Sequence, residues 1–258
     1  MEMYDNKDVF DKSWDKNYLS EELIQAQWAE FVELKKVIAE LYQKKKTPLS
    51  ILDIGIGNAR IAKHLSGITE IWDMVGSYDG TDNAEACVLL SRQTAKELKI
   101  DDKVTVYLED AINLDKWKKK YDLIIITWFT AGNFYPNNFN FESYNPSEKR
   151  FDLSRNEKFE TIFSNLYQLL NPAGEILIGA CYIDNERTRL KQEHSYHKMG
   201  MTILTDAKDS FTATKERFWS QRFTEEKMLD YLSFVEPKKI TFTLLDTYDY
   251  AMQLRIKK

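Results

Sequence analysis

The chain has 258 residues, of which 43% are hydrophobic and 13% aromatic, and its formal net charge is -5 at pH 7. This length and apolar content suit one large domain with a buried core. The acidic balance argues against a nucleic-acid partner, because proteins that bind nucleic acids usually present a basic surface to the phosphates. No apolar run is long enough to span a bilayer.

The cysteines and the first residues of the chain indicate the cellular compartment in which the protein works. Cys87 and Cys181 lie in apolar segments without the spacing of a disulfide or metal site, so we expect reduced, buried thiols. The first residues lack the basic and then apolar order of a secretion signal. We therefore expect a cytoplasmic protein that has no membrane partner.

Residues 1–45 predict a helical cap. Ser20 is followed by two glutamates, as is typical of a helix N-cap, and apolar residues recur at helical spacing from Leu23 to about Tyr42. The segment before this helix is irregular and aromatic and contains Trp14 and Tyr18. We expect the helix to cover one face of a sheet and the aromatic segment to act as a lid over a ligand.

Strand and helix patterns alternate through residues 46–182. Apolar runs predict strands at 49–54, 73–78, 103–108, 121–127 and 175–182. The stretches between them predict helices at 59–65, 84–98 and 156–170. Apolar strands that alternate with helices indicate a parallel sheet with right-handed crossovers.

The pattern changes after residue 182. Residues 183–222 form an insertion, with a polar stretch at 184–198 and extended pieces at 201–204 and 211–223. The last segment, 223–258, predicts a helix over 224–234 and a hairpin of strands at 239–245 and 251–256.

The predicted fold class is therefore α/β, with a doubly wound, mostly parallel seven-stranded sheet in a single domain. The sheet ends in an antiparallel hairpin, a helical cap precedes it, and an extended insertion precedes the last helix. The cap, the core over 46–182, the insertion and the last segment make up one unit, because no linker composition separates them.

Acidic residues follow three predicted strands at the edge where an open α/β sheet binds ligands. Asp53 ends the first strand and precedes Gly55 and Gly57, which permit a tight turn and close backbone approach. Asp82 follows the second strand and is suited to accept hydrogen bonds from two ribose hydroxyls. Asp110 follows the third strand and is suited to an adenine amino group. These residues predict a nucleotide cradle.

These features resemble the class I S-adenosylmethionine-dependent methyltransferases over roughly residues 49 to 256. The matching segments are the glycine loop at 51–59, the ribose acid at 80–84, the adenine loop at 108–111, the fourth strand at 121–125, the turn at 169–177 and the segment at 218–226. The family's Gly-x-Asp spacing favours Asp82 over its competitor Asp79 as the ribose ligand. The sequence departs from the pattern at Ala59, which replaces the third glycine, and in a long connection between Leu65 and Gly80.

The resemblance implies S-adenosylmethionine as the cofactor. The cofactor-binding residues that it implies are Asp53, Gly55, Gly57, Asn58, Asp82, Asn83, Asp110, Ala111 and Thr127.

Methyl transfer from a sulfonium is an in-line displacement, which requires alignment of the reactants and exclusion of water. We expect the acceptor to bind beyond the fourth strand, where aromatic side chains could surround an amine or a flat ring. The candidate substrate-binding residues are Trp14, Tyr18, Trp128, Asn133, Phe134, Tyr135 and Tyr144. The Asn-Pro-Pro-aromatic signature of amide and base methylation is absent after this strand.

Residues 130–134 also resemble a loop of histidine Nα-methyltransferases, which favours an amine or amino-acid-like nitrogen, or else a hydroxyl, as the acceptor. The candidate catalytic residues are His194, His197 and Tyr135. The two histidines lie three residues apart beside Glu193, but no fourth ligand is evident, and we expect no metal.

Three alternatives remain open at the level of the sequence. The first is a protein that binds the cofactor but catalyses no reaction, which would explain why the sequence offers no obvious catalytic base. Lysine runs at 44–46 and 116–120 would suit a tRNA or protein methyltransferase. A nicotinamide-dependent oxidoreductase shares the glycine cradle, but the terminal hairpin and the turn at 171–174 disfavour it.

Overall fold

The computed structural model describes residues 11–12, 16–245 and 249–258. The main-sheet strands are β1 (Leu49–Ile54), β2 (Val75–Asp82), β3 (Val104–Leu108), β4 (Tyr121–Ile126), β5 (Leu170–Tyr182), β8 (Ile240–Leu244) and β9 (Ala251–Lys257). A separate small hairpin pairs β6 (Phe211–Ala213) with β7 (Trp219–Gln221). The helices are α1 (Glu21–Lys45), α2 (Arg60–Ser66), α3 (Thr69–Trp72), α4 (Glu85–Glu97), α5 (Glu157–Leu169), α6 (Glu186–Lys198) and α7 (Glu225–Tyr231).

The seven strands of the main sheet follow the order β3-β2-β1-β4-β5-β9-β8. Strands β1 to β5 pair in parallel, whereas β9 pairs antiparallel with both β5 and β8. The order reverses between β1 and β4, which creates a crevice at the carboxyl edge of the sheet. The predicted fold class is confirmed.

Apolar side chains cover both faces of the sheet. Helices α1, α2 and α4 pack on one face, and the fully buried Leu34 and Ile38 of α1 belong to that layer. Helices α5 and α7 pack on the other face, where Phe159, Phe163 and Met228 are fully buried. This double cover explains why the central strands are apolar at nearly every position.

Helix α1 begins where its sequence predicts. The Ser20 hydroxyl accepts a hydrogen bond from the Leu23 amide at 3.2 Å, and two glutamates follow in the first turn. The predicted cap helix and its position on one face of the sheet are confirmed. Tyr18 lies in a short 3-10 turn (Lys16–Tyr18), and Trp14 lies outside the described residues.

Strand β2 runs farther than predicted, because the polar residues 79–82, which follow the predicted strand, form its buried second half. Asp79 is 2% exposed within the strand, where it accepts hydrogen bonds from the Lys119 ammonium at 2.7 Å and the Tyr121 hydroxyl at 2.6 Å. Gly80 also fits the strand, since a Cβ there would collide with the Ile56 side chain. These partners let an acid and a glycine occupy a buried strand.

The insertion is less extended than predicted. Its polar stretch forms α6, which begins at Glu186. The side chain of the N-cap residue Asn185 accepts a hydrogen bond from the Thr188 amide at 2.8 Å. This N-cap starts a helix despite its weak apolar pattern. The predicted extended piece at 211–223 contains β6 and β7, whereas the piece at 201–204 forms no strand and makes one isolated bridge, from Ile203 to Thr214. The predicted turn at 171–174 is an irregularity inside β5, between the pairs Tyr121↔Leu170 and Leu123↔Glu175.

Among the residues that the structure describes, no helix is long and apolar enough to cross a bilayer.

Candidate active site

A pocket opens at the carboxyl edge of the sheet, where the strand order reverses between β1 and β4. Its walls come from the segments that follow β1, β2, β3 and β4, together with residues from α5 and the β6–β7 hairpin. All the predicted cofactor residues except Asp53 line it, namely Gly55, Gly57, Asn58, Asp82, Asn83, Asp110, Ala111 and Thr127.

The glycine loop after β1 has a left-handed backbone. Gly55 has a φ of 70° and Gly57 a φ of 57°. A Cβ on Gly55 would also lie 2.6 Å from Cγ2 of Thr130, so this position requires glycine for two reasons. Ala59, at the place of a third glycine, has a φ of 58° and is fully buried. A small residue fits the space there, at the cost of backbone strain.

Asp82 connects the end of β2 to the glycine loop. Its Oδ2 accepts a hydrogen bond from the Gly57 amide and its Oδ1 one from the Ala84 amide, both at 3.0 Å. Burial raises the pKa of this carboxyl, while the backbone amides act in the opposite direction. The carboxylate also borders the pocket, where it can accept a hydrogen bond from a ligand hydroxyl. The structure thus places Asp82 in the pocket, whereas Asp79 lies outside its lining.

Asp110 lies at the third wall of the pocket. Its Oδ1 accepts a hydrogen bond from the Ile112 amide at 3.1 Å, which starts a 3-10 turn. Its Oδ2 lies 3.9 Å from the ammonium of Lys158. This leaves acceptor capacity on the carboxylate for a ligand amino group.

Asp53 lies behind the pocket and outside its lining. Its Oδ2 accepts a hydrogen bond from the Tyr78 hydroxyl at 2.5 Å, and its Oδ1 has no partner among the described residues. Burial raises the pKa of this carboxyl to about 7 against the effect of the Tyr78 hydrogen bond. The structure gives Asp53 a position under the glycine loop without direct access to the pocket.

The predicted acceptor loop after β4 borders the pocket at Trp128, Asn133, Phe134 and Tyr135. Trp128 and Phe129 are consecutive residues with left-handed backbones, at φ values of 55° and 61°. The buried carboxylate of Glu30 on α1 holds this turn, because its Oε1 accepts the Trp128 amide at 2.8 Å. The loop is therefore fixed by a residue from the cap helix.

The structure does not bring the other predicted acceptor residues to this pocket. Tyr18 and Tyr144 are absent from its lining, and the Tyr144 hydroxyl donates a hydrogen bond to Asp209 at 2.9 Å. His194 and His197 lie on the exposed side of α6, since the buried side carries Thr188, Gln192 and Ser195. A general-base role for the histidines has no support in this geometry.

No group of three or more histidine, cysteine, aspartate or glutamate side chains in the described part of the chain could hold a metal ion.

Further residues line the pocket although the sequence analysis assigned no role to them; they include Arg60, Lys158, Arg217 and Trp219. Arg60 directly follows the glycine loop, and that position is a signal that the sequence offered. Lys158, Arg217 and Trp219 reach the pocket only through tertiary packing of α5 and the β6–β7 hairpin, for which the sequence carries no local signal.

Comparison with protein-family models finds no match, and comparison with curated protein sequences finds none. Solved structures do match. A S-adenosylmethionine-dependent methyltransferase from Clostridium acetobutylicum ATCC 824 is 11% identical, with 90% of each chain covered and a TM-score of 0.55. The CcbJ methyltransferase from Streptomyces caelestis is 10% identical, with 90% of this chain and 88% of that chain covered and a TM-score of 0.55.

A third match is magnesium protoporphyrin IX methyltransferase from Synechocystis PCC 6803 with bound S-adenosylhomocysteine. It is 15% identical, covers 99% of this chain and 96% of its own, and has a TM-score of 0.54. At such low identities the likeness concerns the fold. This chain has the fold of the class I S-adenosylmethionine-dependent methyltransferases.

Proposed function

We propose that the protein is an S-adenosylmethionine-dependent methyltransferase that acts on a small molecule, at an amine or amino-acid-like nitrogen or at a hydroxyl. One observation carries this proposal. The glycine loop, Asp82 and Asp110 lie at the carboxyl ends of three different strands and line the same pocket, at the point where the strand order reverses. The structural neighbours that have this fold support the proposal.

Unsatisfied polar groups in the pocket fit the cofactor. Asp82 offers lone pairs to ribose hydroxyls, and Asp110 offers them to the adenine amino group. The side chain of Arg60 is 13% exposed, and its Nη1 is buried with no hydrogen-bond partner in the described residues. Such a donor suits the carboxylate of the cofactor's methionine part. When bound, the cofactor supplies an electrophilic methyl group on a sulfonium.

The residues of the chain then have to align the acceptor with the methyl group and exclude water. Trp128, Phe134 and Tyr135 give the acceptor end an aromatic wall, which can attract an amine through its ring faces and exclude water. A base is needed only if the nucleophile arrives protonated. Of the residues predicted as catalytic, Tyr135 lines the pocket, and we keep it as the candidate.

The division of the chain is part of this proposal. Residues 1–45 form the cap, 46–182 the cofactor-binding core, 183–222 the substrate-side insertion, and 223–258 the last helix and hairpin. Arg217 and Trp219 of the insertion line the pocket, which supports a role on the substrate side.

The first experiment is calorimetry with S-adenosylmethionine, S-adenosylhomocysteine and NAD. We expect the two sulfur ligands to bind and NAD not to bind. Asp82→Asn should weaken S-adenosylhomocysteine binding by about 1–3 kcal/mol, the scale for hydrogen bonds to a charged group. Asp101→Asn is the control, because Asp101 is an exposed acid in the turn before β3.

Unchanged affinity in Asp82→Asn, or binding of NAD alone, would contradict the proposed cofactor site. Methyl transfer from labelled S-adenosylmethionine to a panel of amines, amino acids and phenols then tests turnover. Tight cofactor binding without transfer to any acceptor would favour the non-catalytic alternative.

A further inference from the structure

We propose that the acceptor carries a carboxylate, which binds at the end of the pocket lined by Lys158, Arg217 and Trp219. This inference rests on the proposed function, because it names the class of acceptor that the same pocket takes. It is carried by donor groups that the protein itself leaves unsatisfied.

Lys158 is the main observation. It lies in the first turn of α5, lines the pocket, and has a side chain that is 16% exposed. Its ammonium makes no hydrogen bond to any residue that the structure describes; the nearest carboxylate oxygen is Asp110 Oδ2 at 3.9 Å, and the Tyr135 ring centroid lies 5.1 Å away. The side chain is mostly buried in the pocket wall, and its ammonium has three donors that acceptor atoms of a ligand can satisfy.

Trp219 adds a second unmet donor. It lies on β7, is 2% exposed and lines the pocket, and its Nε1 is buried without a hydrogen-bond partner in the described chain. Its ring centroid lies 6.3 Å from that of Tyr135, the same ring that Lys158 approaches. Because an indole nitrogen only donates, this group also calls for an acceptor atom.

Arg217 adds positive charge at the same end. It lies in the turn of the β6–β7 hairpin with a left-handed φ of 64°. Its guanidinium donates to Glu142 at 2.6 Å, but the Glu142 side chain is 77% exposed, so that pair is solvated. A carboxylate bound beside Lys158 would have Arg217 as a second cation.

The ammonium of Lys158 and the indole Nε1 of Trp219 therefore remain without a hydrogen-bond acceptor among the described residues. Two carboxylates face the two cations, and one of them, Asp110, is already engaged by the Ile112 amide and assigned to adenine. A carboxylate is an acceptor-only anion, so it can satisfy an ammonium and an indole N–H together, which a neutral amide does less well. Holding the anionic end also restricts the orientation of the acceptor, as in-line transfer requires.

The test compares amino acids with their carboxamides on the protein saturated with S-adenosylhomocysteine. The pairs are L-tyrosine and L-tyrosinamide, L-tryptophan and L-tryptophanamide, and L-histidine and L-histidinamide, and calorimetry measures the affinity of each. In at least one pair we expect the acid to bind about tenfold more tightly than the amide, the scale for a charge-assisted hydrogen bond.

Three variants test whether the preference for the acid over the amide depends on the Lys158 ammonium. Lys158→Met should reduce it to about twofold or less while leaving S-adenosylhomocysteine affinity within about twofold, since the ammonium is then absent. Lys158→Arg keeps the charge and should retain the preference. Lys96→Met, at an exposed lysine on α4, is the matched control and should behave as the wild type.

Several outcomes overturn the inference. The first is that the wild-type protein binds S-adenosylhomocysteine but binds no acid more tightly than its amide. The second is that Lys158→Met keeps the full preference for the acid. The third is that Lys158→Met loses affinity for S-adenosylhomocysteine and keeps the preference for the acid. Failure of the wild-type protein to bind S-adenosylhomocysteine overturns the proposed function, and the inference falls with it. The cofactor measurement therefore separates the two failures.

Discussion

The carboxyl group of Asp53 is buried at the end of β1, with one oxygen bonded to Tyr78 and the other without a partner in the described residues. Desolvation raises its pKa from 3.8 to about 7, against the Tyr78 hydrogen bond and Arg60, while Glu30 and Asp82 raise it further. An acid with a raised folded-state pKa binds more protons when folded. Its contribution to stability is therefore full below about pH 4 and is lost as the pH rises to about 7.

Asp53→Asn should remove this pH dependence. The amide resembles the protonated acid, so at pH 5, about one unit above the unfolded pKa of 3.8, the variant should be more stable than the wild type by only about 1.5–2 kcal/mol. At pH 8 the variant should be the more stable, by up to about 4 kcal/mol at about 1.4 kcal/mol per pKa unit. Urea unfolding at both pH values measures the gap. A gap that does not change with pH would show that the carboxyl is ionised throughout.

Residues that follow a strand directly could be predicted to border the pocket, because the carboxyl ends of parallel strands share one edge. This explains why Gly55, Asp82 and Asp110 were found from the sequence. Lys158 and Trp219 could not be found in this way. Their neighbours in the sequence resemble an ordinary helix start and an ordinary short strand, and only tertiary packing brings them to the pocket.

At the scale of elements, α1 is more than a cover for the sheet. Glu30 is fully buried, and its carboxylate accepts hydrogen bonds from the amides of Trp128 and Ala180 and from the Arg60 guanidinium, each at 2.8 Å. Gly179 makes room for it, since a Cβ there would collide with the carboxylate. One side chain of α1 thus joins the ends of β4 and β5 to the start of α2.

Glu30→Ala should lower the free energy of unfolding by about 3–5 kcal/mol, since it leaves a buried guanidinium and two amides without their acceptor. Glu30→Gln keeps one acceptor and should lose less. Glu33→Gln, which breaks only a solvated pair with Lys36, should cost less than about 1 kcal/mol. Urea unfolding compares them, and equal losses at positions 30 and 33 would contradict the role of Glu30.

The spacing of apolar residues predicted whether each core element is a helix or a strand. It did not predict the polar elements. Helix α6 has few apolar residues, and its start depends on the Asn185 cap rather than on a hydrophobic face. Strand β2 continues through Asp79, whose buried carboxylate accepts hydrogen bonds from the side chains of Lys119 and Tyr121, and neither partner is visible from the local sequence. Tertiary partners thus override local turn signals.

At the scale of the whole molecule, Arg222 links the separate parts of the insertion, residues 183–222, by hydrogen bonds. It is 1% exposed, and its guanidinium donates to Gln192 on α6 and Thr212 on β6 at 2.8 Å each, and to Asp184 at 3.2 Å. Two backbone carbonyls, of Asp209 and Phe211, accept further hydrogen bonds. The two pocket residues of the hairpin depend on this network for their position.

Arg222→Met should therefore lower the free energy of unfolding by about 3–5 kcal/mol, because it leaves buried acceptors unpaired. It should also speed proteolytic cleavage within residues 183–222. Arg155→Met, which removes an ion pair between the exposed Arg155 and Glu160 outside the insertion, is the control and should leave the free energy of unfolding nearly unchanged. If both variants are cleaved at the wild-type rate, the network does not hold the insertion in place.

The sheet order has a consequence for synthesis. Strand β9 follows β8 in the chain, yet it lies between β5 and β8. While a ribosome is still making β9, β5 has an open hydrogen-bonding edge, and β8 lacks the strand that joins it to the sheet. Unpaired edges of this kind are templates for pairing with other chains. The nascent protein therefore has an association-prone stage, which ends only when β9 inserts between strands that were made before it.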